Sequence, residues 1–204
     1  CIREMIAAHY NHPSIYIWGI LNECASDTAY GRECYKTQLE LIKSLDVTRP
    51  RSFSSCRFKT DICFDLVDVV SYNIYPKWYH NTPVAMYLDD LYKWVQTTGG
   101  AGKPFLITEV GAGAIYGYRT PAKVKWSEEY QVLALEEQLG AILSYKDCSG
   151  VYIWQFCDVR VTNDWWNTRP RTMNNKGIVD EYRRPKLSYE TVKRIFGSVD
   201  TYRK

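Results

Sequence analysis

The sequence predicts an α/β protein that forms part of a (β/α)8 TIM barrel, and three observations lead to this prediction. Short apolar stretches rich in β-branched and aromatic residues alternate with helical patterns along the 204 residues, as expected for βα units around a parallel sheet. The glycine-rich phosphate loop that many open doubly wound sheets carry is missing from the sequence. Polar candidate residues follow several different strands, and this distribution is typical of barrels.

The predicted elements follow one another at the spacing of βα units. Asp27 is the expected N-cap of the second helix, which the segment Thr48-Arg49-Pro50 ends. Thr82 and Pro83 open the third helix as N-cap and first helical residue. The predicted strands are Ile15–Leu21, Arg51–Ser55, Val67–Tyr72, Phe105–Thr108 and Val151–Phe156. The other predicted helices are Ile2–Tyr10, Trp126–Tyr145 and Ser188–Phe196.

Five predicted strands are too few to close an eight-stranded barrel. Because candidate residues follow four of these strands, the sequence predicts the last five βα units of a barrel rather than an open sheet. A piece of this size alone would expose unpaired strand edges. We therefore expect residues 1–204 to be the C-terminal part of a barrel whose first three units lie upstream.

The composition excludes several kinds of partner. A net charge of +3 is too small to indicate a nucleic acid or a membrane surface, and no apolar run is long enough to span a membrane. Seven scattered cysteines without a CxxC pair indicate neither a disulfide framework nor a zinc site, and the three histidines form no ligand set. Together with the lack of an Asn-X-Ser/Thr site, the cysteines predict a cytoplasmic location.

Two glutamates occupy equivalent positions in the predicted barrel. Glu23 is the first acidic residue after the first strand, and Glu109 directly follows the fourth. A carboxylate at the mouth of a buried strand costs free energy and rarely improves packing, so such a pair indicates an acid/base and a nucleophile. The alternative is that each glutamate serves only as a helix N-cap or an ion-pair partner.

Four segments resemble motifs of glycoside hydrolase family 2. Residues 11–23 (NHPSIYIWGILNE) resemble the acid/base motif that ends the fourth barrel strand of this family. Residues 107–111 (ITEVG) resemble the nucleophile motif that ends the seventh. Residues 46–50 (DVTRP) and 126–131 (WSEEYQ) also look like this family, and especially like its β-glucuronidases. The resemblance runs in order over essentially the whole chain.

The resemblance implies a role for each matching residue. Glu23 would be the general acid/base, Glu109 the nucleophile, and Asn22 the partner of the sugar 2-hydroxyl. The remaining matches are Tyr75 near the nucleophile, Tyr79 in the sugar pocket and Trp154 as the platform beneath the sugar. The bond between Trp154 and Gln155 is implied to be a cis peptide.

Residues 171–178 (RTMNNKGI) resemble the Asn-X-Lys motif that holds the carboxylate of a uronic acid, and Asn174 and Lys176 are the matching positions. A C6 carboxylate needs a cation and an amide donor, and a neutral sugar needs neither. Arg171 is expected to assist, but the spacing is about one residue shorter than in the family, so Arg169 is an equal candidate. The alternative for Lys176 is a surface lysine in a polar turn.

These residues predict a retaining, exo-acting glycoside hydrolase that removes terminal β-D-glucuronic acid from glucuronides or uronic-acid-terminated oligosaccharides without a metal or other cofactor. β-Galacturonidases and β-galactosidases share the catalytic pair, and no residue distinguishes the C4 epimers. A non-catalytic carbohydrate-binding fragment also stays open. The family pattern further implies β-sandwich domains upstream of residue 1 and a homo-oligomeric protein.

Overall fold

The computed structural model describes residues 1–199. Its α-helices are α1 (Ile2–His9), α2 (Ala29–Leu45), α3 (Val84–Thr97), α4 (Glu128–Ser144) and α5 (Leu187–Gly197). Its strands are β1 (Trp18–Asn22), β2 (Arg51–Ser55), β3 (Val70–Asn73), β4 (Phe105–Val110), β5 (Cys148–Ile153), β6 (Val159–Arg160) and β7 (Met173–Asn174). Short 3-10 turns occupy Phe64–Leu66, Asn163–Thr168 and Pro170–Thr172.

Within residues 1–199, five strands form one sheet in the order β1-β2-β3-β4-β5, so each strand lies beside its neighbour in sequence. The β1–β2 and β2–β3 pairs are parallel. Helices α2, α3 and α4 connect β1 to β2, β3 to β4 and β4 to β5. Consecutive parallel strands joined by helices are the repeating βα unit of a barrel, so the predicted fold class is confirmed.

The chain divides into two compact units. The first unit comprises Cys1–Asn73, Leu88–Thr108 and Asp147–Gly150. The second unit comprises Ile74–Tyr87, Glu109–Lys146 and the described residues from Val151 onward. The second unit therefore contains the residues that follow β3 and β5, together with the last two residues of β4.

The core of the first unit forms where amphipathic helices cover apolar strand residues. Ile6 of α1, Trp18 of β1 and Ile42 of α2 pack together, each at most 3% exposed. An aromatic group lies nearby in the same unit, in which the ring of Phe53 is 4.5 Å from that of Tyr35 and 5.9 Å from that of Phe64. These contacts explain why α2 carries apolar residues at helical spacing.

Helix α4 buries glutamines as well as apolar side chains in the core of the second unit. Gln131 Nε2 donates to the carbonyls of Ala112 at 2.9 Å and Gly177 at 3.0 Å. Gln138 Nε2 donates to the carbonyls of Pro76 at 2.7 Å and Gly111 at 3.3 Å. Both glutamines have a relative exposure of 0%. They therefore hold the backbone of the loops that follow β3 and β4.

Several element boundaries differ from the sequence prediction. Thr28, not Asp27, caps α2, because its hydroxyl accepts from the Gly31 amide at 3.0 Å. Likewise α4 begins after Ser127, whose hydroxyl accepts from the amide of Tyr130. In both helices the side-chain acceptor that bonds the first turn sets the observed start.

Four of the five predicted strands have different bounds in the structure. Strand β1 is Trp18–Asn22 rather than Ile15–Leu21, and β4 extends to Val110 rather than ending at Thr108. Strand β3 begins at Val70, not Val67, because the amides of Asp68 and Val69 both donate to the Arg51 carbonyl and turn the chain before the regular ladder starts. Strand β5 spans Cys148–Ile153, so it starts before the apolar run that predicted it. None of the helices in residues 1–199 is long and apolar enough to cross a membrane.

Candidate active site

The backbone at the end of β1 is irregular at the point where the first candidate carboxylate lies. The pairing of β1 with β2 shifts between Gly19 and Asn22, and Leu21 and Glu23 adopt φ angles of 53° and 54°. Residues other than glycine rarely adopt this left-handed region, and such strain is concentrated at functional sites. The amide of Glu23 donates to the Ser54 carbonyl at 2.9 Å, which anchors the strained turn to β2.

A buried asparagine organises the polar side chains of the first unit. Asn73, the last residue of β3, is 4% exposed. Its Nδ2 donates to Asn22 Oδ1 and to Glu23 Oε1, each at 2.9 Å. Its Oδ1 accepts from the hydroxyl of Thr108 at 2.8 Å. The Thr108 contact orients the amide, so Asn73 holds the side chains of Asn22 and Glu23 in a fixed arrangement.

The second candidate carboxylate lies in the second unit. Glu109 is half-buried in β4, and its Oε2 accepts a hydrogen bond from the Tyr75 hydroxyl at 2.5 Å. A hydrogen bond to a carboxylate is about twice as strong as one between neutral groups. Two residues later, a Cβ at Gly111 would lie 2.3 Å from the Trp154 carbonyl oxygen, so only glycine fits there.

Two cations of the second unit meet at one phenolic oxygen. Lys176 is 3% exposed, and its Nζ donates to the Tyr79 hydroxyl at 3.0 Å. Arg169 Nη2 donates to the same oxygen at 3.2 Å. Burial of the Tyr79 hydroxyl would raise its pKa, but these two cations outweigh burial and lower the pKa. Burial also lowers the pKa of Lys176. An anionic ligand would stabilise such a pair of neighbouring charges.

Aromatic rings surround the Lys176 ammonium. Its Nζ lies 5.1 Å from the ring centroids of Tyr75 and Tyr79 and 5.6 Å from that of Trp78, within the range of cation–π interactions. Tyr75 thus contacts the buried cation with its ring and Glu109 with its hydroxyl. The arrangement can bind an anionic group close to a carboxylate, a combination that suits a reaction on an acidic substrate.

The other predicted site residues also lie in the second unit. Trp154 directly follows β5, is 39% exposed and is joined to Gln155 by a cis peptide bond. Its amide donates to the Val110 carbonyl at 2.9 Å. Asn174 Oδ1 accepts from the Lys176 amide at 3.3 Å, so the side chain of Asn174 contacts the backbone of the motif.

The structure distinguishes the two candidate arginines. Arg171 forms an ion pair with Glu181, whereas Arg169 lies beside Lys176 at the Tyr79 hydroxyl. The backbone turns between Arg169 and Lys176, where Arg171 and Thr172 adopt φ angles of 59° and 57°. Of the two candidates left open by the sequence, Arg169 is thus the one that lies beside Lys176, and the role of an arginine in carboxylate binding stays a prediction. In the described part of the chain, no group of three or more His, Cys, Asp or Glu side chains could hold a metal ion.

Comparison with protein families identifies the group to which these motifs belong. The model for the TIM barrel domain of glycosyl hydrolases family 2 matches residues 1–201. The chain belongs to glycosyl hydrolase family 2. A rat β-glucuronidase is 32% identical over 197 residues, which cover 91% of this chain and 29% of that protein. A Paenibacillus borealis β-glucuronidase is 25% identical and covers 98% of this chain and 34% of that protein.

Solved structures of family 2 enzymes superpose closely on this chain. The structure of a β-galacturonidase from Eisenbergiella tayi bound to galacturonate has a TM-score of 0.96 and 75% identity, covering 98% of this chain and 36% of that one. A β-glucuronidase from Ruminococcus gnavus in complex with D-glucuronic acid has a TM-score of 0.84 and 26% identity, covering 95% and 35%. This chain thus spans about a third of the length of these relatives.

Some contacts of this family 2 site were not assigned from the sequence. The sequence predicts Thr108 only as the end of an apolar strand, and it assigns no contact to Asn73, which follows another predicted strand. Only the three-dimensional structure shows that Asn73 contacts Glu23 and that Thr108 contacts Asn73. The position of Arg169 beside Lys176 at the Tyr79 hydroxyl also depends on the backbone turn between them.

Proposed function

We propose that the protein is a retaining, exo-acting glycoside hydrolase that removes a terminal β-linked hexuronic acid. The observation that carries this proposal is the buried Lys176 ammonium, held by the Tyr79 hydroxyl beside Arg169 and lying on the ring of the tyrosine that contacts Glu109. A carboxylate on C6 of the sugar would pair with this cation while the sugar lies at the nucleophile.

In the proposed reaction, Glu109 attacks the anomeric carbon and Glu23 donates a proton to the glycosidic oxygen, so the glycosidic bond breaks and a glycosyl ester forms. Glu23 then removes a proton from a water molecule, which attacks the anomeric carbon and releases the uronic acid and Glu109. This chemistry needs two carboxyl groups about 5–5.5 Å apart and no metal.

The remaining residues have binding roles in this proposal. Asn22, held by Asn73, donates to the 2-hydroxyl of the sugar, and Trp154 lies beneath the sugar ring as a platform. Asn174 and Lys176 bind the C6 carboxylate, with Arg169 as the second cation. Charge-assisted hydrogen bonds of this kind contribute about 1.5–3 kcal/mol each. A neutral sugar would leave the buried ammonium without its anion, so a β-galactosidase or a non-catalytic fragment fits the site less well.

Galacturonides are the favoured substrates among the hexuronides. The support is the 75% identity to the Eisenbergiella tayi β-galacturonidase over nearly the whole chain. The β-glucuronide predicted from the sequence is the second candidate, and the β-glucuronidases at about 30% identity support it. The two sugars differ only in the orientation of the C4 hydroxyl. Both share the carboxylate that Lys176 would bind.

The test is hydrolysis of p-nitrophenyl β-D-galacturonide, β-D-glucuronide and β-D-galactoside by the protein that carries this sequence, with Glu109→Gln as a control. We expect kcat/KM to be highest for the galacturonide and at least tenfold lower for the galactoside, because about 1.4 kcal/mol of lost binding gives a factor of ten. The Glu109→Gln variant should release p-nitrophenol at least about 10²–10⁴-fold more slowly than the parent.

Each alternative outcome has a defined meaning. Preference for the glucuronide would support a hexuronide substrate but would show that the preferred C4 epimer is glucuronate rather than galacturonate. Preference for the galactoside would contradict the assignment of Asn174 and Lys176. Turnover of none of the three would contradict the proposed activity. The homo-oligomeric state and the cytoplasmic location stay predictions from the sequence.

A further inference from the structure

A fully buried ion pair lies in the second unit, away from the groups that would contact the sugar. Lys186 Nζ and Asp158 Oδ1 are 2.8 Å apart, and both side chains have a relative exposure of 0%. Among residues 1–199, the second carboxylate oxygen, Asp158 Oδ2, has no hydrogen-bond partner. Removing two charges from water is costly, and apolar residues often replace such a pair without loss of stability. The pair therefore has a use other than stability.

The hydrogen bonds of the pair indicate that use. Lys186 Nζ donates to the Asn175 carbonyl at 3.0 Å and to the Ala114 carbonyl, at 2.6 Å. Asp158 Oδ1 accepts from the Gly177 amide at 2.9 Å. Asn175 and Gly177 are the two neighbours of Lys176 in the chain. The ion pair thus binds the backbone on both sides of the lysine that lies at Tyr79.

Close packing makes this part of the backbone rigid. A Cβ at Gly177 would lie 2.3 Å from the Asp158 amide nitrogen and 2.3 Å from the Val179 carbonyl oxygen, so only glycine fits. The carbonyl of Lys176 itself accepts from the Gln155 amide at 3.1 Å. The backbone on both sides of Lys176 is therefore fixed. The Lys176 side chain thus extends from a Cα atom whose position is defined.

The charges around the pair are consistent with a fixed, dry site. Burial raises the pKa of Asp158 to about 6, with Glu181 adding to the effect and Lys186 opposing it. Burial lowers the pKa of Lys186, while Asp158, Glu128 and Asp180 oppose this effect. Each partner therefore keeps its charge largely because the other is present.

We propose that Asp158 and Lys186 are positioning residues for substrate selection, which hold the backbone on either side of Lys176 so that its ammonium meets the carboxylate of a hexuronide. The proposal rests on the proposed function. Neither residue contacts the sugar, and both act through the position of Lys176. A side chain held in place before binding loses less conformational entropy when the substrate binds.

The test compares three variants of the protein that carries this sequence. Asp158→Leu/Lys186→Met replaces the pair by apolar side chains and avoids an unpaired buried charge. Lys176→Met removes the ammonium itself. Lys103→Met is the matched control, because Lys103 is a half-buried lysine of the first unit that donates to the Phe64 carbonyl at 2.6 Å. The readouts are kcat and KM for the uronide and the ratio of kcat/KM between uronide and galactoside.

We expect Asp158→Leu/Lys186→Met to raise the uronide KM at least tenfold with a smaller change in kcat, and to lower the selectivity ratio at least tenfold. Lys103→Met should leave the ratio within about twofold, because Lys103 donates to the Phe64 carbonyl and not to the backbone beside Lys176. An equal loss for both substrates in the double variant would overturn the proposal, because a merely structural role affects both alike.

The lysine variant separates this proposal from the proposed function. If Lys176→Met leaves the ratio unchanged, the carboxylate site itself is wrong. If Lys176→Met lowers the ratio and the double variant does not, only the positioning role is wrong. Where the double variant fails to fold, Asp158→Asn/Lys186→Met takes its place, because it leaves no buried charge unpaired and still removes the donor to the Asn175 carbonyl. A smaller drop in the ratio is then expected, because the Gly177 amide keeps an acceptor, and an unchanged ratio overturns the proposal.

Discussion

At the scale of single residues, two tyrosines of the second unit contact different parts of the candidate site. The Tyr75 hydroxyl donates to Glu109, and the Tyr79 hydroxyl accepts from Lys176 and Arg169. Their rings are 5.3 Å apart and pack edge to face. The two tyrosines therefore contact different groups, Glu109 in one case and the two cations in the other, and we expect them to have different roles.

Replacing each tyrosine by phenylalanine should change a different kinetic constant. Tyr75→Phe removes a hydrogen bond to a charged group, worth about 1.5–3 kcal/mol, so we expect kcat to fall about 10–100-fold with little change in KM. Tyr79→Phe removes the oxygen shared by the two cations, so KM for the uronide should rise about tenfold with a smaller effect on kcat. Steady-state kinetics with the p-nitrophenyl uronide measure both, and the reverse pattern would contradict these roles.

At the scale of elements, Asp46 joins the start of the chain to β1 and α2. Its carboxylate accepts from Trp18 Nε1 at 2.8 Å, from the Thr48 hydroxyl at 2.6 Å and from Arg49 Nη1 at 2.7 Å. Arg49 Nε also donates to the Ile15 carbonyl at 2.7 Å. Burial would raise the pKa of Asp46, but these hydrogen bonds outweigh burial and lower the pKa.

We expect Asp46→Asn to lower the free energy of unfolding by about 3 kcal/mol at pH 7, because it breaks a buried charged network. A carboxyl whose folded pKa lies below its unfolded value of about 3.9 stabilises the protein above that pH and loses this effect as the pH falls. The difference between parent and variant should therefore shrink below about pH 4. Urea denaturation of parent and variant at pH 7 and at acidic pH measures this difference in the free energy of unfolding.

The control is Asp89→Asn on α3. Asp89 pairs with Lys93 at 2.5 Å, with side chains 48% and 72% exposed. Exposed pairs of this type contribute only about 0.3–0.5 kcal/mol. An effect of Asp46→Asn as small as that of Asp89→Asn would show that the Asp46 network does not hold these elements together.

At the scale of the whole molecule, the proposed reaction depends on two glutamates. Glu23 is held by Asn73 in the first unit, and Glu109 by Tyr75 in the second. The proposed mechanism uses both carboxyl groups in each turnover. The energetic effects of the two residues should therefore depend on one another.

The double variant Glu23→Gln/Glu109→Gln tests this dependence. Glu23→Gln should lower kcat/KM for the uronide by a factor of about 10²–10⁴, since general acid/base catalysis contributes that much. Glu109→Gln should lower it at least as far, because it removes the nucleophile. The effects on activity of residues that act together in the same reaction steps are not additive. We therefore expect the double variant to be no less active than Glu109→Gln alone. A double loss equal to the product of the two single losses would show that the glutamates act independently.

The sequence predicted the order and type of the five strands because apolar periodicity records which side chains are buried. It also predicted the strand-end position of Glu23 and Glu109, since a carboxylate after an apolar run is conspicuous. It did not predict that Asn73 and Thr108 contact each other beside Glu23, because a contact across 35 residues has no local signal. The sequence left Arg169 and Arg171 as equal candidates, because the positive φ angles of Arg171 and Thr172 have no local signal in the sequence.

The buried glutamines of α4 limit how this domain could be made more heat-resistant by protein engineering. Filling buried helix positions with leucine is a common way to raise a melting temperature, and Gln131 and Gln138 are obvious targets because both are fully enclosed. Yet their amides are donors for the loop carbonyls of Pro76, Gly111, Ala112 and Gly177. A redesign that replaced them would leave those carbonyls without donors and loosen the loops beside Tyr75, Glu109 and Lys176. The most attractive positions for stabilisation are thus ones that an active thermostable variant must keep.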